Sequence, residues 1–285
     1  MEKLKIAIQK SGRLSEKSAA LIQECGIKIN NGNRKLIAQA SNFPLEILYL
    51  RDDDIPQSVE DKVADIGIVG ENEVAEKDKD ITIVEKLGFS KCKLSLAIPK
   101  SVDYQGIEYF NNKVIATSYP VILGKYLQEK GINAEIHMIS GSVEIAPGIG
   151  LADAIFDIVS SGSTLISNGL REVETVMRSQ AVIVGNKNID EEQKLILENL
   201  LFRIHAVQKA QNNKYILLNV PNDKVQDIIG ILPGMKSPTV MPLAESGWSS
   251  VHSVISESDF WEIIGQLKEK GAQGLLVVPI EKMII

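Results

Sequence analysis

The sequence predicts an α/β protein with a separate C-terminal unit. Over most of the chain, short apolar runs of strand length alternate with amphipathic segments of helical periodicity. This alternation indicates βαβ units and a largely parallel sheet covered on both faces. After the polar stretch 211–214 the order changes to β-α-β-β-α-β, which is the ferredoxin-like order of many small regulatory domains. That order alone does not specify a ligand.

In the first part, Leu4 to Ile8 is the first predicted strand. Ser15 is the predicted cap of a helix that Gly26 ends. Four more regions are predicted strands: Ile47 to Leu50, Asp65 to Gly70, Lys91 to Pro99, and Lys113 to Thr117. Ala154 to Val159 is a further strand, and a long amphipathic helix begins at Asp190. A shorter helix is predicted from Pro120 to Lys130.

The C-terminal unit begins with a strand from Tyr215 to Val220 and a helix capped by Asn222. Two strands follow, Pro238 to Leu243 and Trp248 to Ile255. Ser256 then begins the second helix, and the last strand is Leu275 to Ile280. We therefore expect the domain boundary at 212/213.

Composition restricts the possible functions. The net charge is −6 and the pI is near 5.3, which argues against a nucleic-acid partner. No apolar run is long enough for a membrane span, and the start resembles a strand rather than a signal peptide, so we expect a cytoplasmic protein without membrane contact. The cysteines Cys25 and Cys92 form no disulfide or zinc pattern. The histidines are isolated and are interpreted as structural: His137, His205 and His252.

The segment with the strongest chemical signal is the apolar strand that contains Asp157 and runs into the hydroxyl-rich loop Ser160, Ser161, Gly162, Ser163 and Thr164. Such a loop before a helix can bind phosphate through backbone N–H groups and hydroxyls. Asp157 could accept hydrogen bonds from a sugar. A loop of this composition is, however, more often an ordinary turn. The glycine–lysine pattern of P-loop enzymes is absent.

Two further groups of residues are candidates for the same site. Glu144 follows a glycine turn, and its alternative interpretation is an acidic residue in a helix's first turn. Lys10, Arg13 and Arg51 follow or lie near strand ends and could contact phosphates, although each taken singly is a solvated charge.

Several blocks, in one order along the whole chain, closely resemble the ATP phosphoribosyltransferase family. The blocks in the first part are Gln9 to Ser15, Arg51 to Pro56, Asp65 to Asn72, Ala116 to Pro120, and Gly141 to Pro147. The hydroxyl-rich loop, running on to Asn168-Gly169-Leu170, continues the match. The tail adds Lys236 to Val240 and Pro279 to Met283.

The resemblance implies a two-lobed, periplasmic-binding-protein-like catalytic part and a regulatory domain. Lobe I would comprise 1–90 and 185–212, lobe II 91–184, and the regulatory domain 213–285. The implied reaction is transfer of a phosphoribosyl group from phosphoribosyl pyrophosphate to N1 of ATP with Mg²⁺. It is the first step of histidine biosynthesis and is inhibited by L-histidine. A homo-oligomer, from dimer to hexamer, is implied as well.

The resemblance also implies roles for individual residues. The loop 160–164 would hold the 5-phosphate, and Glu144 and Asp157 would contact the ribose hydroxyls. Lys10, Arg13, Arg51 and, less directly, Tyr119 match positions near nucleotide or pyrophosphate charge. The positions that match a histidine site are Asn219, Met235, Thr239, Val254 and Gly274.

Two alternatives stay open on the sequence. One is a non-catalytic, two-lobed sensor of small molecules, which the fold alone does not exclude. The other is a phosphoribosyltransferase that uses a different base. The loop with Asp157 and Glu144 favours an enzyme, and the C-terminal motifs favour the histidine pathway.

Overall fold

The computed structural model describes residues 2–30, 36–160, 162–232 and 237–284. The chain forms two compact units. The first comprises Met1–Gln23 with Ile27–Leu197, and the second comprises Glu24–Gly26 with Glu198–Ile285.

The first unit contains two sheets. Its strands are β1 (Leu4–Gln9), β2 (Ile37–Gln39), β3 (Leu45–Leu50), β4 (Ile66–Gly70), β5 (Ile81–Lys86), β6 (Cys92–Pro99), β7 (Val114–Thr117), β8 (Glu135–Met138), β9 (Ala154–Val159), β10 (Leu170–Ser179) and β11 (Ala181–Asn186). Its helices are α1 (Arg13–Glu24), α2 (Ile55–Glu60), α3 (Glu71–Lys77), α4 (Pro120–Lys130) and α5 (Ser163–Ser167). Helix α6 (Glu191–Gln211) begins in this unit and ends in the second.

The first sheet, in the order β2-β3-β1-β4-β11-β5, forms what we call the first lobe. Its central strand β4 is almost entirely buried, as expected for an Ile/Val-rich strand covered on both faces. A side chain at Gly67 would lie only 2.5 Å from Ile55 Cγ2, so glycine allows α2 to pack directly on this strand.

The second sheet, in the order β10-β6-β9-β7-β8, forms the second lobe. Its core includes Leu94, Phe110, Ile115, Leu123 and Phe156, all fully buried. The chain passes from the first sheet to the second before β6 and returns after β10. This is the two-lobed, periplasmic-binding-protein-like architecture that the resemblance implies.

The expectation of a largely parallel sheet is wrong in part, because both sheets are mixed. Strands β3, β1 and β4 are parallel, whereas β11 is antiparallel to β4 and β5. In the second sheet, β6 is antiparallel to both its neighbours. A buried strand shows a continuous apolar run in either direction, so the pattern carries no information on strand direction.

The second unit contains the C-terminal part of α6 and a four-stranded sheet. Its elements after α6 are β12 (Asn213–Pro221), α7 (Val225–Ile231), β13 (Thr239–Pro242), β14 (Trp248–Ser256), α8 (Glu257–Glu269) and β15 (Gln273–Pro279). The sheet order β13-β14-β12-β15 is antiparallel throughout and, with this element order, gives the predicted ferredoxin-like fold. One face packs on both helices through Ile216, Leu218, Ile228, Phe260 and Leu267.

Two boundaries differ from the expected ones. Strand β11 belongs to the first sheet from Ala181, rather than from residue 185. Residues 198–211 of α6 group with the C-terminal unit, rather than with the first lobe. The sequence marks the end of this helix with polar residues, but nothing in its periodicity shows which unit its apolar side contacts. Among the described residues, no helix is both long and apolar enough to cross a membrane.

Candidate active site

Asp157 lies at the edge of the second sheet where parallel strands end. Strand β7 pairs with β9 from Ile115–Ala154 to Thr117–Phe156, so Asp157 is the first residue of β9 beyond this pairing. Ligands of open α/β sheets bind outside the carboxyl ends of parallel strands. The position of Asp157 therefore agrees with a ligand site at this edge.

Glu144 lies beside Asp157 because its neighbours are buried against β9. It belongs to the 3₁₀ turn Val143–Ile145, and Val143 and Ala146 pack in one cluster with Ile155. Burial raises the pKa of Asp157, and the negative charge of Glu144 raises it further, while a hydrogen bond from Ile158 N opposes the shift. Two carboxylates thus face the same space.

The predicted phosphate loop leads from β9 into α5. Gly162 precedes α5 with a φ of +76°, a left-handed conformation that glycine adopts without strain. Gly162 also has no side chain with which to cap the first turn of α5. Ser163 and Thr164 are the first residues of that turn, and both are exposed. Ser161 lies outside the described residues.

One cavity of about 230 Å³ brings most of the predicted residues together. It is lined by Arg13, Glu144, Asp157, Ile158, Val159, Ser160, Gly162, Ser163, Thr164 and Leu165. Arg13 is the first residue of α1 in the first lobe, whereas the other lining residues belong to the second lobe. The cavity therefore combines hydroxyls, two carboxylates and one guanidinium, as a phosphorylated sugar would require.

Lys10, Arg51 and Tyr119 are not among the described residues that line this cavity. Lys10 follows β1 and Arg51 follows the adjacent parallel strand β3, so both lie at one edge of the first sheet. Arg51 Nε is 3.4 Å from Asp53 Oδ1, and its side chain is 79% exposed. Such an exposed cation remains available to an anionic ligand.

Tyr119 connects the second lobe to carboxylates of the first. Burial raises the pKa of its phenol, and the charges of Glu73 and Asp157, together with a hydrogen bond to Glu73, raise it further. Tyr119 is therefore protonated at neutral pH and acts as a donor. Burial also raises the pKa of Glu73, with the charge of Asp52 adding to the effect.

Sequence reasoning missed two acidic residues of α3, Glu73 and Glu76. Glu76 accepts hydrogen bonds from Val121 N (2.9 Å) and Ile122 N (3.0 Å) at the start of α4 in the other lobe. In the sequence both are ordinary charged residues of a short amphipathic helix. Their partners lie more than forty residues further along the chain, so no local signal identifies them.

In the C-terminal unit, three of the predicted histidine-site residues share the sheet face that lacks helices. Asn219 alternates with the buried residues of β12, Val254 pairs with Tyr215, and Thr239 pairs with His252. Gly274 approaches Asn219, since a side chain at Gly274 would lie 3.2 Å from Asn219 Nδ2. Met235 lies outside the described residues.

The same face of the sheet carries His252, which the sequence analysis interprets as a structural residue. His252 Nδ1 is 2.8 Å from Tyr215 Oη, and Nε2 is 2.9 Å from Ser250 Oγ. Both ring nitrogens are thus satisfied within the sheet, in agreement with a structural role. Both cysteines are free thiols, and burial raises the pKa of Cys25 to about 11, so this thiol is unreactive.

Comparison with known families covers nearly the whole chain. Residues 51–206 match the model of the ATP phosphoribosyltransferase family, and residues 210–282 match the HisG C-terminal domain. An ATP phosphoribosyltransferase of Bacteroides thetaiotaomicron is 62% identical over 99% of this chain and 100% of its own length. One from Cytophaga hutchinsonii is 61% identical over 99% and 98%, respectively.

A solved structure agrees with these matches. A chain of the ATP phosphoribosyl transferase (HisG:HisZ) complex from Thermotoga maritima superposes with a TM-score of 0.61 at 30% identity, covering 71% of this chain and 98% of that one. These relatives support an enzyme, a pentosyltransferase, rather than a non-catalytic sensor. The chain belongs to the ATP phosphoribosyltransferase family, in the long form that carries the HisG C-terminal domain.

Proposed function

We propose that this chain transfers the phosphoribosyl group of phosphoribosyl pyrophosphate to N1 of ATP, at the cavity lined by Asp157, Glu144, Ser160 and Gly162 to Thr164. The observation that carries the proposal is the convergence of two carboxylates, a hydroxyl-rich helix start and Arg13 on one cavity. A 5-phosphate fits the loop, because backbone N–H groups and hydroxyls at a helix start favour anions. The ribose hydroxyls would donate to the two carboxylates.

The reaction would be a displacement at the anomeric carbon. A bond forms between N1 of adenine and C1 of the ribose, and the bond from C1 to the pyrophosphate oxygen breaks, with inversion. N1 of adenine is neutral and carries no proton before the attack, so no strong base is required at the start. The protein's main contributions would be positioning and electrostatics, since no covalent nucleophile is needed.

The two carboxylates suit the charge that develops in this reaction. As the pyrophosphate leaves, positive charge grows on the ribose ring. Asp157 and Glu144 would stabilise that charge while they hold the hydroxyls of the same ring. Arg13, Lys10 and Arg51 would attract the phosphates of the substrates and balance the negative charge of the leaving group.

The carboxylates of this site suit a Mg²⁺ ion that enters the site bound to the substrate phosphates. Among the described residues, no three His, Cys, Asp or Glu side chains are grouped to hold a metal. Mg²⁺ is usually bound by substrate phosphates with one or two carboxylates, which Asp157 and Glu144 could supply. When bound, Mg²⁺ would neutralise part of the pyrophosphate charge.

Inhibition by L-histidine is assigned to the helix-free face of the C-terminal sheet. The Asn219 amide, beside the backbone at Gly274, and the Thr239 hydroxyl, two strands away on β13, offer polar partners for an amino acid on this face. Histidine would act by binding one state of a cytoplasmic homo-oligomer, between dimer and hexamer, more tightly than another.

The direct test mixes the purified protein with ATP, phosphoribosyl pyrophosphate and Mg²⁺, and follows the ultraviolet absorbance of N1-phosphoribosyl-ATP. We expect product that requires Mg²⁺ and that L-histidine suppresses. Replacing ATP by GTP tests the choice of base. Absence of product from folded protein would contradict the proposed reaction, and product that histidine does not affect would contradict the regulatory part.

A further inference from the structure

The first turn of α4 is capped by a residue of the other lobe. Val121 N and Ile122 N donate to the two carboxylate oxygens of Glu76, at 2.9 and 3.0 Å. Glu76 lies on α3 in the first lobe, and α4 lies in the second. A carboxylate at the start of a helix is favourable both as a hydrogen-bond acceptor and as a charge opposite the helix dipole.

The sequence of α4 provides no such cap of its own. The N-cap residue is Tyr119, which within the described part of the chain makes no side-chain cap hydrogen bond, and Pro120 has no N–H. Leu123 N already donates to Tyr119 O at 3.1 Å. Val121 and Ile122 therefore carry the first-turn donors, and Glu76 accepts from both of them.

Helix α3 is itself anchored where the chain crosses between the lobes. The buried Asn72 donates through its backbone N to Ser179 Oγ (3.1 Å), and Ser179 Oγ donates to Asn72 Oδ1 (2.8 Å). Ser179 is the last residue of β10, just before the chain returns to the first sheet. The carboxylate of Glu76 is thus held on a helix fixed at this crossing.

The contact of Glu76 with α4 lies next to residues of the candidate site. Tyr119 directly precedes α4, and its phenol lies within electrostatic reach of Asp157. The cavity itself is formed by Arg13 of the first lobe and by residues of the second lobe. Its shape therefore depends on how the two lobes are held together, and the Glu76 contact is one of the bonds that hold them.

We propose that Glu76 is a positioning residue for phosphoribosyl transfer, which fixes the start of α4, and with it Tyr119, against the first lobe. This inference rests on the proposed function, because the positioned site is the one assigned to the reaction. Glu76 is not among the described residues that line the cavity. It acts through the two backbone donors of α4.

A second contact, between α4 and the residue that follows α3, supplies a matched control. Lys125 Nζ lies 3.0 Å from Asp78 Oδ2, and both side chains are more than half exposed. Exposed pairs of this kind contribute little. If any contact between α3 and α4 were enough to position the site, Lys125→Ala would lower kcat as a Glu76 variant does.

The experiment compares Glu76→Ala, Glu76→Gln and Lys125→Ala with the wild type in the full chain. The first measurement is amide hydrogen exchange at Val121 and Ile122. The second is kcat per competent site, counted by stoichiometric binding of phosphoribosyl pyrophosphate, together with KM for that substrate. Glu76→Gln keeps one acceptor oxygen, so it remains informative even if Glu76→Ala folds poorly.

We expect faster exchange at both amides in Glu76→Ala, and a kcat lowered by about tenfold, as for loss of charge-assisted hydrogen bonds. Glu76→Gln should lose less. KM for phosphoribosyl pyrophosphate should change little, because the contacts proposed for its 5-phosphate and ribose lie within the second lobe. Lys125→Ala should match the wild type. An unchanged kcat per site in Glu76→Ala, or an equal loss in Lys125→Ala, would overturn the proposal. An inactive wild type with slow exchange at both amides would instead contradict the proposed function.

Discussion

Asp157 is half-buried in the cavity beside Glu144, and its environment opposes its ionisation. Its pKa is raised by burial and by the charge of Glu144. Carboxyl groups whose pKa is shifted by burial and by a neighbouring like charge in a cleft are typical of functional sites. We infer that the charge is needed when the ribose ring becomes positive.

Replacing Asp157 by Asn should lower the rate of phosphoribosyl transfer by at least about a hundredfold, the size of effect seen when one electrostatic group of an active site is removed. The measurement is kcat with ATP and phosphoribosyl pyrophosphate at saturation. Glu135→Gln, at an exposed position of the same sheet, serves as the control and should retain full activity. Near-normal turnover of the Asp157→Asn variant would refute the role given to Asp157.

The same substitution should stabilise the protein in a pH-dependent way. Since the folded-state pKa of Asp157 is raised, the folded protein binds this proton more tightly than the unfolded chain does. Stability is therefore lost as pH rises from the ordinary aspartate pKa through the raised value, and the loss is constant above it. Asp157→Asn should have the higher Tm at pH 8, and the difference should shrink toward pH 4. A Tm difference independent of pH would contradict this assignment.

At the scale of elements, the turn between β9 and α5 depends on one glycine. Gly162 has a φ of +76°, and a side chain there would meet no atom closer than 4.0 Å, so the obstacle to substitution is backbone conformation alone. Gly162→Ala should strain this turn by about 1–2 kcal/mol and shift the N–H groups of the loop. We expect a higher KM for phosphoribosyl pyrophosphate.

The control for this prediction is Gly124→Ala. Gly124 lies inside α4, and a side chain there would make an ordinary 3.7 Å contact with Ile136. Alanine is favoured over glycine within a helix, so this variant should bind substrate normally and unfold at an equal or higher temperature. Equal KM values for the two variants and the wild type would show that the loop geometry does not depend on Gly162.

The individual elements also show which parts of the fold can be predicted from the sequence. The apolar runs of β1, β4 and β9 and the bounds of α4 could be predicted, because burial and capping leave local patterns. Strand β10, which carries several charged residues, was not predicted, since its pairing with β6 is decided by distant partners. The contact of Glu76 with α4 was missed for the same reason.

At the scale of the whole molecule, the proposed reaction site and the proposed histidine site lie in two different compact units. The candidate reaction site lies within the first unit, and Asn219, Thr239 and Val254 lie in the second. Because each unit has its own core, a substitution on the C-terminal sheet should leave the cavity intact. L-histidine bound there can then lower the reaction rate only by binding one state of the protein more tightly than another.

Asn219→Ala should raise the L-histidine concentration needed for half-inhibition by about tenfold, as expected for loss of a hydrogen bond to a charged group. The rate without histidine should be unchanged. Glu262→Gln, at an exposed position of α8 on the other side of the domain, should be inhibited like the wild type. Unaltered inhibition of the Asn219→Ala variant would exclude this face of the sheet as the histidine site.

The most direct measurement is a crystal structure of the protein with phosphoribosyl pyrophosphate and Mg²⁺. We expect the 5-phosphate on the loop 160–164, the ribose hydroxyls on Glu144 and Asp157, and the pyrophosphate directed toward the basic residues of the first lobe. A ligand bound with its ribose away from both carboxylates, or outside this cavity, would contradict the proposed site.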